Sequence, residues 1–344
     1  MFRNNNRPKL LRQKSFFSRT TIFVSIGGIL LLIFIFKNFL DVRWYEVITN
    51  LKSVNLQLFF LAFLSYYLSF IVRGYRWKLI CKSAIPNNDK NLPNILSFSG
   101  IILMGWFANS IAFMRLGDAY RGWILSKEIN KSSFSTLIGT VIAERIQDIL
   151  VIIFILLFSI FFIQRSNEID LPSWIFLVSV TLLIIVITGI SFLKKSGSYL
   201  EKLLPPKIRT LYSKIYKSIL SGFSIRNLPT QFLLGCIGWI LEILRFYFVA
   251  ESMNIDISIW IIVLTTLTSS ILTTIPTPGG FGFVESGMAA LLILFGLPDL
   301  AAVSLVTIDR IISWLSVIVF GGLLFSFWHI IKRPIFFLKN NLGL

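Results

Sequence analysis

Between Leu171 and Leu193 the chain carries no charged residue, and eight further stretches are almost as apolar: 20–36, 54–72, 91–114, 132–164, 228–250, 257–284, 286–298 and 300–331. Runs of this length restrict the fold more than any other feature. The hydrocarbon core of a bilayer is about 30 Å thick and takes roughly 20 apolar residues to cross as a helix, against about ten for a strand. Inside it every backbone N–H and C=O must be satisfied within the protein, which leaves helices for runs of twenty. Composition agrees, because 14% of the residues are charged, where soluble domains carry about a quarter. The expectation is an all-α polytopic membrane protein. It comprises a basic cytoplasmic tail (1–19), a single integral membrane domain (20–331) and a cytoplasmic C-terminal tail (332–344), with no separate soluble domain.

Charge sets the orientation. Arg3, Arg7, Lys9, Arg12, Lys14 and Arg19 precede the first run without an acid, which places the N-terminus in the cytoplasm. No small-residue cleavage site follows Phe36, so a signal peptide is not expected. The second run returns to the cytoplasm at Arg73, Arg76, Lys78 and Lys82, and 194–226 holds eight basic residues against Glu201 alone. Glu251 and Asp256 mark an external loop, and Lys332, Arg333 and Lys339 put the C-terminus inside, in the cell membrane.

Two segments break this pattern. Residues 91–114 have basic clusters on both flanks, which suggests a re-entrant hairpin from the cytoplasmic side, with Pro93, Gly100 and Gly105 permitting the bend. Ile275-Pro276-Thr277-Pro278-Gly279-Gly280-Phe281-Gly282 interrupts the apolar stretch from Ile257 to Pro298. Two prolines and three glycines cannot continue a helix, so an unwound turn at membrane depth is expected there. Such backbone persists only where protein or a hydrated cavity covers it. The two halves also resemble each other: Gly117 precedes Arg145 by 28 residues, as Gly282 precedes Arg310, and Val-Ile-Ala-Glu-Arg-Ile matches Val-Thr-Ile-Asp-Arg-Ile. Opposite orientations for the halves would make an inverted repeat of two broken-helix hairpins.

Ionisable residues lie inside or at the edge of these runs: Arg115, Asp118, Arg121, Glu144, Arg145, Asp148, Glu242, Arg245, Glu285, Asp309 and Arg310. At about 2.5–3.5 kcal/mol each near the bilayer centre, eleven unpaired charges would cost roughly 30 kcal/mol, more than the ~5–15 kcal/mol that holds an ordinary protein together. They must be paired or hydrated. Arg115 with Asp118, Asp118 with Arg121, Arg145 with Asp148 and Glu242 with Arg245 are each three apart, which puts them on one helix face. Structural ion pairs are one reading. The other is a phosphate site, because guanidinium forks match phosphate oxygens, and N–H groups at Gly279, Gly280 and Gly282, entering a helix at Phe283, favour an anion. Glu285 would then balance an arginine, contact an amine or hydroxyl, or carry a proton.

Arg73-Gly74-Tyr75-Arg76-Trp77, Arg115-Leu116-Gly117-Asp118-Ala119-Tyr120-Arg121, Glu144-Arg145 with Asp148, Pro276-Thr277-Pro278-Gly279-Gly280-Phe281-Gly282 with Glu285, and Arg310 follow one another along the chain. In that order they resemble the flippase-like membrane domain also called the lysylphosphatidylglycerol synthase transmembrane region. Asp118 stands where glutamate is common in that family. The resemblance implies a helical domain with re-entrant segments that moves lipids between leaflets, as in the multiple peptide resistance factors. Those proteins add a soluble aminoacyltransferase domain. Here the chain ends soon after the last run, so lysine transfer from tRNA is not expected.

The function expected is a lipid transporter, flippase or scramblase, for an anionic phospholipid or a polyprenyl-phosphate-linked lipid. Its substrate would be bound by Arg73, Arg115, Asp118, Arg121, Glu144, Arg145, Asp148, Gly279, Gly280, Gly282, Glu285 and Arg310. Neutral substitution of Arg115, Arg121 or Glu285 should then remove function from a folded protein. The alternatives are a membrane-embedded transferase acting on a lipid phosphate, with Glu144, Asp148 or Glu285 as base, and a non-catalytic lipid-binding scaffold. Against catalysis, the sequence has no Asp-x-Asp motif and no Gly-rich nucleotide signature. A lone His329 and two isolated cysteines, Cys81 and Cys236, support neither a metal site nor a Ser/His/Asp triad. No cofactor and no nucleic acid are expected. The partners are membrane lipids, with a partner synthase or glycosyltransferase.

Overall fold

The structure, a computed structural model, describes residues 54–85, 92–129, 132–166 and 173–329. The first apolar run and both tails lie outside these residues. The described chain is all-α: α1 (Leu56–Ala84), α2 (Ile95–Ile111), α3 (Leu116–Glu128), α4 (Phe134–Ser166), α5 (Ser173–Leu203), α6 (Pro206–Gly222), α7 (Leu228–Ser252), α8 (Ile259–Leu272), α9 (Phe283–Leu294), α10 (Asp299–Arg310) and α11 (Ser316–Phe327). A short π-helical segment, Ile311–Leu315, joins the last two. Five helices among the described residues are long and apolar enough to cross a membrane: Leu56–Ala84, Phe134–Gln164, Ser179–Leu203, Leu228–Ser252 and the continuous Asp299–Phe327. The protein is a multi-pass membrane protein.

Local chemistry fixes the starts of helices. The Asn55 carboxamide oxygen accepts the N–H groups of Gln57 and Leu58 at 3.0 and 3.3 Å, and Asn94 does the same for Ser97 at 2.8 Å. Each thereby satisfies donors that a helix N-terminus leaves free. The element order then runs twice through one scheme. A long helix (α1, α7) leads into two short helices separated by a break (α2–α3, α8–α9), and another long helix follows (α4, α10–α11). α1 packs along α7 and joins the two halves. Tyr66, Phe70 and Trp106 stack edge-on in the core between them, with ring centroids 5.2–6.3 Å apart. α5 instead turns Leu177, Ile184, Ile185 and Phe192 outward, more than half exposed, a surface that suits lipid and not water.

Two expectations change. α1 does not stop at Val72: it continues to Ala84 and buries Arg73 and Arg76, because carboxylates on α7 and α4 meet them. They are buried inside the bundle and are not exposed flanks. Gly100 and Gly105 do not bend the chain, since α2 is unbroken from Ile95 to Ile111; the break comes afterwards, at Met114 and Arg115. The basic segment 194–226 covers the end of α5 and a further helix, α6, that packs on α4.

Candidate functional site

The first break forms where Met114 and Arg115 take left-handed backbone, φ 61° and 49°. This is strained for non-glycine residues and holds only where surroundings dictate it. One restraint is Asn109, whose side-chain oxygen accepts the Gly117 N–H at 2.7 Å. A second is contact between helices: a Cβ on Gly117 would sit 1.8 Å from the Gly105 carbonyl oxygen. Glycine at 117 therefore lets α3 lie directly on α2, and this sets Asp118 and Arg121 against α4.

The second break uses glycine throughout, with Gly279, Gly280 and Gly282 at φ 61°, 72° and 86°. α9 begins immediately after, and the Glu285 carboxylate turns back to accept the Gly282 N–H at 2.6 Å. The same carboxylate takes Arg310 Nε at 2.6 Å, while Arg310 Nη2 donates to the Gly279 carbonyl at 3.1 Å. Glu285 thus ties the break to the last long helix, and the Gly282 N–H is satisfied from within the chain.

All four ion pairs expected from three-residue spacing are present, at 3.3–3.7 Å. Closer contacts run between helices. Arg73 meets Glu242 at 3.2 Å, and Arg76 meets Asp148 at 2.7 Å. Arg121 meets Glu144 at 2.7 Å. Arg145 grips Asp118 with two prongs at 2.7 and 3.2 Å, and Arg245 pairs with Asp309. With Arg310–Glu285, these give each of six arginines a different nearest carboxylate. The seventh guanidinium of the network, Arg115, has no carboxylate of its own among the described residues. Its nearest, Asp118 at 3.7 Å, already holds Arg145, and its one hydrogen bond crosses to the Thr273 carbonyl at the end of α8, 3.1 Å away.

The two breaks face a common cavity of about 390 Å³. Of the residues that the sequence analysis names for the site, Arg73, Arg115, Asp118, Arg145, Asp148, Gly279 and Arg310 line it. Arg121, Glu144, Gly280, Gly282 and Glu285 do not. Arg121 is 1% and Glu144 3% exposed, a pair locked between α3 and α4, and Glu285 is engaged at its helix start. The lining adds Glu242, Arg245 and Asp309, which the sequence marks as membrane charges but the site assignment omits. The repeat could have supplied two of them, since Arg245 and Asp309 occupy the places of Arg73 and Glu144. It adds also Tyr66, Trp106, Trp239 and Trp314, and a hydroxyl-bearing face of α8. Arg73 lies over the Trp106 and Trp239 rings, 5.3 Å from each centroid.

Known proteins resemble the chain along most of its length. A UPF0104 membrane protein of Methanocaldococcus jannaschii is 32% identical over 236 residues, covering 67% of this chain and 96% of the relative. A second from the same organism is 29% identical over 314 residues, 84% of this chain and 89% of the relative. A UPF0104 membrane protein of Pyrococcus horikoshii is 25% identical over 304 residues, 81% and 89% of the two chains. No solved structure matches. The family model described as the lysylphosphatidylglycerol synthase TM region matches residues 21–321, and the chain belongs to that family.

Proposed function

We propose that this protein moves an anionic lipid, a phospholipid or a polyprenyl-phosphate-linked lipid, between the leaflets of the cell membrane, and that the cavity between the two breaks holds its headgroup. The observation that carries this reading is the surplus guanidinium. Among the described residues of the network, six carboxylates neutralise six arginines, and the seventh, Arg115, stands at the cavity wall with its side chain 27% exposed. A guanidinium in a low-dielectric site without its own counter-ion is a phosphate receptor in waiting.

The breaks suit transport. At 1.5 Å per residue, α2, α3, α8 and α9 are about 26, 20, 21 and 18 Å long, each shorter than the roughly 30 Å hydrocarbon layer. In this reading α2–α3 and α8–α9 are re-entrant hairpins of an inverted repeat, entering from the cytoplasmic and external sides and meeting near the midplane. Both termini are cytoplasmic. A lipid-modifying partner, a synthase or a glycosyltransferase, would supply or consume the transported lipid.

The test is leaflet exchange in proteoliposomes, with a fluorescent anionic phospholipid and a short polyprenyl phosphate compared side by side. Wild type should exchange at least one of them, and Arg115→Gln should lose at least tenfold of that rate with an unchanged melting temperature. Exchange that ignores the substitution would overturn the site. Chemical change of the lipid by the purified protein would replace transport with transfer.

A further inference from the structure

The cavity holds a second chemistry besides its charges. α8 turns Thr266, Ser269, Ser270 and Thr273 toward it, at spacings of three, one and three residues that share a helix face. Thr266 donates its hydroxyl proton to the Ile262 carbonyl at 2.8 Å, Ser269 to Thr266 at 2.7 Å and Thr273 to Ser270 at 2.6 Å. With these three protons spent on the helix, the oxygens of Thr266, Ser269 and Thr273 offer lone pairs, so this wall is weighted toward accepting hydrogen bonds. On other sides of the cavity the reverse holds. The indole N–H groups of Trp239 and Trp314 and the hydroxyl of Thr277 are buried with no partner among the described residues, and Trp239 is only 6% exposed. Buried polar groups in this state are uncommon, and each raises the question of what completes it.

Three headgroup chemistries can be compared with that arrangement. A bare phosphate only accepts, and would leave the α8 oxygens unmet. An amine only donates; it would leave the indoles unmet and would find no free carboxylate, since Asp118, Asp148, Glu242 and Asp309 each hold a guanidinium. A hydroxyl donates and accepts, and a group carrying several of them answers both walls together, with the faces of Trp106, Trp239 and Trp314 beside its C–H edges.

We infer that the cavity selects a lipid whose phosphate bears a neutral polyhydroxylated group, a polyol or a sugar, with the phosphate at Arg115 and the hydroxyls between the α8 face and the indole N–H groups. This rests on the headgroup-site reading above and narrows it, away from aminoacylated cationic lipids.

Binding to the full-length protein in nanodiscs, read by native mass spectrometry, tests it with four lipids of equal acyl composition against a phosphatidylcholine background. The order should be phosphatidylinositol, then phosphatidylglycerol, then phosphatidic acid, with lysyl-phosphatidylglycerol weakest. Trp314→Phe keeps the ring and removes the donor, and should cut the preference for phosphatidylinositol over phosphatidic acid about fivefold, the effect of one neutral hydrogen bond. Ser269→Ala with Ser270→Ala reads the same ratio from the other wall, should Trp314→Phe fail to fold. Arg115→Gln should weaken phosphatidylinositol, phosphatidylglycerol and phosphatidic acid alike. If these three bind equally, all through Arg115, the hydroxyl site is wrong and the anionic site stands. If lysyl-phosphatidylglycerol binds best, the hydroxyl site is wrong. If none binds above phosphatidylcholine, both readings fall.

Discussion

Arg115 and Arg121 belong to one short motif and look equivalent on paper, yet their surroundings assign them opposite work. Arg121 is fully buried, stacks on Trp77 at 4.9 Å and neutralises Glu144. Its loss leaves a carboxylate stranded, a change worth about 3–5 kcal/mol when a buried pair is broken on one side. Arg115 leaves no such orphan, because Arg145 still holds Asp118. Arg121→Gln should therefore lower the melting temperature in detergent by many degrees, and Arg115→Gln should leave it nearly where it was. Glu285→Gln should behave like Arg121→Gln, since Arg310 would lose its partner. This revises the expectation drawn from sequence, under which all three would fold and lose function. Spacing reveals pairs on one helix; it does not reveal that the closer partner of Arg121 lies on α4, or that Arg76 meets Asp148. Those contacts belong to tertiary structure, and the same blindness hid the tryptophans of the cavity, which read in sequence as ordinary apolar residues.

The elements were more legible than their joints. Five apolar runs match long helices within a few residues at their starts, 54–72, 132–164, 171–193, 228–250 and 300–331, and Phe283 begins α9 as the Pro/Gly turn requires. The first break was placed too early because glycine reads as a hinge by default, whereas Gly105 serves close packing and Gly100 has open space where its Cβ would be. That difference is measurable. Gly100→Ala should be neutral or stabilising by up to about 1 kcal/mol, the usual gain of alanine over glycine inside a helix. Gly117→Ala forces a methyl into the Gly105 carbonyl and should cost about 3 kcal/mol or more, at or above the upper end of ordinary overpacking. Thermal unfolding of the two variants beside wild type separates them; a damaged Gly100→Ala with a tolerant Gly117→Ala would return the hinge to α2.

For the whole molecule, ion pairs tie the long helices of each half together. The first long helix of each half reaches the last one, Arg76 to Asp148 and Arg245 to Asp309, from positions that the sequence repeat does not align, and Arg73–Glu242 stitches α1 to α7 across the halves. If the halves are inverted, the breaks approach from opposite faces, and Arg115 reaching the Thr273 carbonyl is the meeting point. The topology this demands is specific. α7 crosses from Ile225 to Asp256; α8 and α9 then enter and leave on one side, so Asp299 emerges beside Asp256 and opposite Ile225. All three positions are exposed. Single cysteines placed there, with Cys81 and Cys236 removed, should react with an impermeant maleimide from outside intact cells at 256 and 299, and only after permeabilisation at 225. A spanning arrangement of the same segment would put 256 and 299 on opposite sides, and that result would dismantle the paired hairpins and with them the midplane cavity as a route between leaflets.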